Sequence, residues 1–132
     1  MGLFDAWRRP SEASGPDSRT GRQRTGAAAE DAALAHLRGH GLVLVERNFR
    51  CKGGEIDLVM RDGDALVFVE VRARASRSHG GAAASVTPAK QRRLIVAAQS
   101  FLQRYPSPPP CRFDVVGFDG PEVEWLRNAI EA

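Results

Sequence analysis

The stretch from Gly54 to Arg74 constrains the fold more than any other part of the chain. Two runs of β-forming residues, 54–60 and 65–74, flank Arg61-Asp62-Gly63-Asp64. An Asp-Gly step in that position is a strong hairpin signal, because the tight turns that match strand twist need positive φ, which glycine adopts without steric cost. Taking Asp62 and Gly63 as the central pair puts Arg61 opposite Asp64 and sets the rest of the register. Side chains then alternate between two faces. One face is wholly apolar: Ile56, Leu58, Met60, Val67, Val69 and Val71. The other begins with Val59, Leu66 and Phe68 near the turn and ends in Glu55, Asp57, Glu70 and Arg72. In this register Glu55 faces Glu70 directly, and Asp57 is Glu70's diagonal neighbour at roughly 7 to 8 Å between backbones.

Elements on either side complete an α/β domain. Residues 26–39 place Glu30, Ala33, Leu34 and Leu37 at helical spacing, with Gly39 and Gly41 as a stop. Leu42 to Phe49 reads as a first strand. Thr87 and Pro88 supply an N-cap and a proline at the first helical position for a second helix. Its apolar stripe is Leu94, Ala97, Ala98, Phe101, Leu102 and Tyr105, and the prolines from Pro106 to Pro110 end it. Cys111 to Phe118 is a further strand, and residues 123–130 close the chain as a short strand or helix. Residues 75–84, with Gly80 and Gly81, read as a mobile loop. The order helix, three strands, helix, strand predicts a mixed β-sheet flanked by helices.

A chain of 132 residues has room for one core of ordinary size, and so for one site. Residues 25–132 are read as that domain. Residues 1–24 mix Pro, Gly and Ser with scattered charge and read as a disordered tail, whose Arg8, Arg9, Arg19, Arg22 and Arg24 suit a solvated segment better than phosphate contacts. No apolar run reaches bilayer length and the start lacks a secretory signal. This predicts a cytoplasmic protein with no membrane partner, in which Cys51 and Cys111 are reduced thiols without the partners of a structural zinc site. A net charge of +3 and a pI near 9.4 fit a polyanionic partner without requiring one.

The acidic end of the hairpin is where chemistry is expected. Like charges so close repel unless a cation or basic side chains sit among them, and one or two carboxylates plus water and substrate phosphate are what Mg²⁺ takes. A metal there could generate hydroxide and stabilise charge on a phosphodiester. The same residues also suit a solvent-facing row neutralised by Arg72 and Arg74. Glu30 favours the first reading, since it shares a helix face with Leu34 and Leu37, where a carboxylate is costly to bury unpaired; as a first-turn residue it is also favoured by the helix dipole.

Several segments taken together resemble a known family: Gly26-Ala-Ala-Ala-Glu30, Arg47-Asn-Phe-Arg50, Gly54-Glu-Ile-Asp-Leu-Val59, Phe68-Val-Glu-Val-Arg72, the run from Gly80 to Gln91, and Cys111-Arg-Phe-Asp-Val-Val116. The chain is similar, from about Gly26 to its C-terminus, to the YraN-like family of uncharacterised bacterial proteins, relatives of nucleases and of archaeal Holliday junction resolvases. The resemblance implies a PD-(D/E)xK restriction-endonuclease-like fold. It also implies Glu30, Asp57 and Glu70 as carboxylates for Mg²⁺ or Mn²⁺, and DNA, branched DNA included, as partner. The chain departs from the nuclease pattern at one place. The lysine position, two residues beyond Glu70, holds Arg72, whose guanidinium can grip phosphate but cannot act as a base. Lys90, at the start of the second helix, is the substitute ammonium. The catalytic candidates are thus Glu30, Asp57, Glu70, Arg72 and Lys90, and the candidate DNA contacts Arg47, Arg50, Arg74, Arg77, Gln91, Arg92 and Arg93. A nucleic-acid-binding module without cleavage is the alternative, a protein-binding scaffold a third class, and a homodimer remains open.

Overall fold

The structure, a computed structural model, describes residues 25–131; the N-terminal tail of residues 1–24 with its five arginines lies outside the described residues. Thr25 caps the first helix. Its Oγ1 accepts from the amide of Ala28 at 3.1 Å, satisfying one of the donors a helix N-terminus leaves over. Helix α1 then runs Gly26–Gly39 and buries Ala29, Ala33, Leu34 and Leu37 along one stripe.

Three strands follow, β1 (Val43–Cys51), β2 (Gly54–Asp62) and β3 (Ala65–Arg72), each antiparallel to the one before it. A short helix α2 (Gly81–Ala84) and the long α3 (Pro88–Leu102) lead to β4 (Cys111–Asp119). Strand β4 pairs parallel with β3, the arrangement that needs a long crossover. Strand β5 (Glu122–Leu126) returns antiparallel to β4. The spatial order is β1-β2-β3-β4-β5. This is the mixed sheet flanked by helices that the sequence predicts.

Each face of the sheet is covered by one helix. Under α3 lie Ile56, Val59, Leu66, Phe68, Phe113 and Val115, packed with Leu94, Ala97 and Phe101. Under α1 lie Leu58, Met60, Val67, Val69, Val116 and Phe118, packed with Ala33, Leu34 and Leu37. Coverage on both sides is why the strands read as near-continuous apolar runs. The fit is tightest at Gly54. A Cβ there would come 2.2 Å from the backbone oxygen of Arg93 and 2.9 Å from the backbone nitrogen of Ala97, so α3 sits directly on the start of β2. Gly54→Ala should lower the unfolding free energy by roughly 1–3 kcal/mol, the usual cost of overpacking; a urea titration matching that of the native protein would show that α3 lifts freely.

Two expectations are corrected. The hairpin pairs Asp62 with Ala65 and Met60 with Val67, so its central residues are Gly63 and Asp64, not Asp62 and Gly63. Gly63 has φ 61°, the sign that a type II′ turn asks of its first central residue. Asp62 is instead held by Arg112, whose Nη1 donates to Asp62 Oδ2 at 3.1 Å. Moving the turn by one residue moves the register by two, which places Asp57, not Glu55, at the position facing Glu70. Residues 75–84 are not a free loop but a 3₁₀ turn, Arg77–His79, followed by α2. Small buried side chains, Ala75 and Ala82, dock it on the α3 side of the core. The amide of Ala75 donates to the Phe118 carbonyl at 2.8 Å, and that of Ala82 to Glu124 Oε1 at 3.0 Å.

Candidate functional site

Asp57 sits where the alternation of β2 slips. Ile56 belongs to the core under α3 and Leu58 to the core under α1, although residues two apart on a regular strand share a face. The β2–β3 ladder closes with Leu58 opposite Val69. Beyond it, Asp57 Oδ2 accepts from the Val71 amide at 2.8 Å, a side chain standing in for a ladder partner. Strict alternation could not have foreseen this.

Glu70 on β3 stands beside it, and both carboxyls are largely buried. Burial pushes Asp57 above the usual carboxylate range, against the lowering effects of the Val71 amide, the Glu70 carboxyl and Arg72. Burial and then the charge of Asp57 push Glu70 up to about 7, with Arg72 and Lys90 opposing. Two carboxylates so placed cannot both ionise cheaply, so near neutral pH they share a proton, with Glu70 its main holder. Glu30 enters from α1. Burial and the Asp57 charge raise it, while Arg47 and Asn48 favour its ionised form.

The basic candidates divide by position. Arg72 Nη1 lies 3.4 Å from Glu70 Oε2, and its buried Nε has no hydrogen-bond partner. Lys90, at the first turn of α3, acts on both Glu70 and Glu55. Arg47 pairs with Glu30 at 3.4 Å and Asp31 at 3.0 Å. Arg93 pairs with the solvent-facing Glu55, whose charge nevertheless still helps to raise Asp57. Arg77 pairs with Glu122 at 3.4 Å, on the β4–β5 hairpin. The Gln91 amide donates to the Val86 carbonyl at 3.1 Å, bracing the segment before α3. Arg50, Arg74 and Arg92 are exposed.

The donor set suits a hard cation. It is all oxygen, two adjacent carboxyls with a third on α1, whose ionisation is held back chiefly by burial; Mg²⁺ and Mn²⁺ accept such partial protein coordination and complete it with water and phosphate. Among the described residues no group of three His, Cys, Asp or Glu side chains converges on one point, so a closed protein cage is not what these residues form.

Asp114 was missed by sequence reading. It is fully buried in β4, and its carboxylate accepts from Arg112 Nε at 3.0 Å, Trp125 Nε1 at 3.0 Å and the Asn128 amide at 2.8 Å. The available signal was a charged pair, Arg112 and Asp114, inside the otherwise apolar stretch Cys111 to Phe118.

The matching family model, described as uncharacterised protein family UPF0102, spans residues 29–118 and so includes Glu30, Asp57, Glu70 and Asp114. The chain belongs to UPF0102. Among UPF0102 relatives, one from Herminiimonas arsenicoxydans is 68% identical over 114 residues, which cover 86% of this chain and 92% of that protein. One from Janthinobacterium sp. (strain Marseille) is 66% identical over 114 residues, 86% and 93% of the two chains. One from Cupriavidus taiwanensis is 62% identical over 112 residues, 84% and 86%. As for membranes, no helix among the described residues of this UPF0102 chain is long and apolar enough to cross one.

Proposed function

We propose that this UPF0102 member is a PD-(D/E)xK-type, Mg²⁺- or Mn²⁺-dependent cytoplasmic protein that binds DNA, branched DNA included, and cleaves its phosphodiester backbone. One arrangement supports this reading: the buried Asp57–Glu70 pair at the end of the β2–β3 ladder, with Arg72 and Lys90 beside Glu70. Asp57 and Glu70, with Glu30 behind them, would hold the ion. Bound there, it would act as a Lewis acid on the phosphodiester and on water. Arg72 holds the phosphate and neutralises its charge, but stays protonated throughout and takes no proton. Lys90, at a helix N-terminus that itself favours anions, adds a second positive charge on the same side.

A second reading, DNA binding without cleavage, is favoured by one observation: arginine rather than lysine follows Glu70 by two residues. Cleavage of branched and linear DNA with Mg²⁺ or Mn²⁺ decides between them. On the enzymatic reading the native protein cuts, Arg72→Lys retains or raises activity, and Lys90→Ala loses far more than Arg92→Ala, which removes one exposed contact. A native protein that fails to cut, together with an Arg72→Lys variant that gains nothing, leaves the binding reading standing.

A further inference from the structure

Asn48 is one of two non-glycine residues with positive φ among the described residues, and it lies within a strand, where φ of 55° is foreign to the extended backbone. The kink it makes has a counterpart. Arg47 reaches Glu30 and Asp31 of α1, whereas Phe49 packs edge-on against Phe101 of α3, ring centroids 5.3 Å apart. On a regular strand these two would share a face. Across the ladder their partners are Leu58 and Ile56, split between the two cores in the same way. The positions between these pairs are Asn48 and Asp57. Both strands therefore turn at one level, that of Asn48 and Asp57, where the charge of Asp57 acts on Glu30.

We propose that Asn48 is a positioning residue for the carboxylate site: its left-handed backbone sets the kink that aims Asp57. Asparagine is one of the few residues besides glycine that takes this conformation readily. Held mid-strand, the conformation is strained, and strain of this kind persists where the surrounding structure enforces it, often at functional sites. That the aimed carboxylate serves a divalent ion rests on the proposed function; the kink itself does not.

Asn48→Gly keeps the left-handed backbone and removes the amide, while Asn48→Ala removes the amide and disfavours the backbone. The Val71 amide proton, by its NMR shift and exchange protection, reports the hydrogen bond to Asp57 without any metal. Mn²⁺ affinity, from the EPR signal of free Mn²⁺, reports the assembled site. For Asn48→Gly the Val71 signal and Mn²⁺ affinity both stay. For Asn48→Ala the Val71 amide shifts and loses protection, and Mn²⁺ affinity falls about tenfold or more. A Val71 signal lost in Asn48→Gly, or unchanged in Asn48→Ala, overturns the kink. Absence of Mn²⁺ binding by the native protein overturns the metal reading alone, while the Val71 signal still decides the kink.

Discussion

Glu70→Gln should make the metal-free protein more stable at pH 8, by up to about 3 kcal/mol, and should leave it nearly unchanged at pH 4. Glu70 has its folded pKa raised from 4.5 to about 7, so the folded state binds the proton more tightly than the unfolded chain does. Stability from this group is therefore fully present below pH 4.5 and is lost as pH rises through 7. A difference of that size corresponds to about 3 kcal/mol, shared with Asp57 because the pair titrates as a unit. Glutamine keeps the size and hydrogen-bonding capacity of the protonated acid and has nothing to ionise. The measurement is urea unfolding of native protein and variant from pH 4 to pH 8 in chelator. Should the variant be the less stable one at pH 8, the Glu70–Arg72 contact outweighs burial and the pair is structural. Mn²⁺ adds a second contrast. It competes with the shared proton, so at 100 times its Kd it should stabilise the native protein by about 2.7 kcal/mol, and Glu70→Gln far less.

Asp114→Ala should be the most damaging substitution of a polar side chain, costing roughly 3–5 kcal/mol. The carboxylate is fully buried and takes donors from Arg112, the Trp125 indole and the Asn128 amide. These join β4 to β5 and to the chain beyond it, while Arg112 also reaches Asp62 at the hairpin turn. Removing the acceptor leaves Arg112 with Asp62 but without its buried carboxylate, takes the acceptor from the Trp125 indole and the Asn128 amide, and opens a hole where Asp114 was fully buried. Against a total of about 5–15 kcal/mol for a domain this size, the loss approaches unfolding. Asp114→Asn should fall between the two, because it supplies one oxygen and one unwanted donor. Chemical denaturation at pH 7 checks this. A cost below about 1 kcal/mol would mean that β5 and residues 127–131 fold back without the network.

Much of the framework was legible because local rules and the tertiary fold agree. The Thr87 cap with Pro88 starts α3 where capping chemistry places it, and α1 spans the residues that its Ala-rich spacing and glycine stop define. The hairpin was legible as a hairpin, and its register was not, since an Asp-Gly step is compatible with either residue leading the turn. The docked segment 75–84 looked mobile because glycine, serine and alanine resemble a linker, yet small side chains are also what a close contact with β4 demands.

Pattern alone led to a mixed sheet flanked by helices and to a hairpin with an acidic end; it was the resemblance to the YraN-like family that implied Glu30, Asp57 and Glu70 as a set and drew attention to Arg72 and Lys90. Side-chain period and capping act over a few residues, so they can be read without knowing the fold. Which carboxylates meet was decided only by tertiary structure. A two-residue change of register exchanges Glu55 for Asp57 opposite Glu70, and β2 switches faces between Ile56 and Leu58, across from a left-handed residue on β1. The shared proton follows from burial beneath helices contributed by distant segments, and the Asp114 network from donors up to 14 residues away in sequence. Burial and partner geometry are properties of the packed molecule, and they set the electrostatics that give these carboxylates their chemistry.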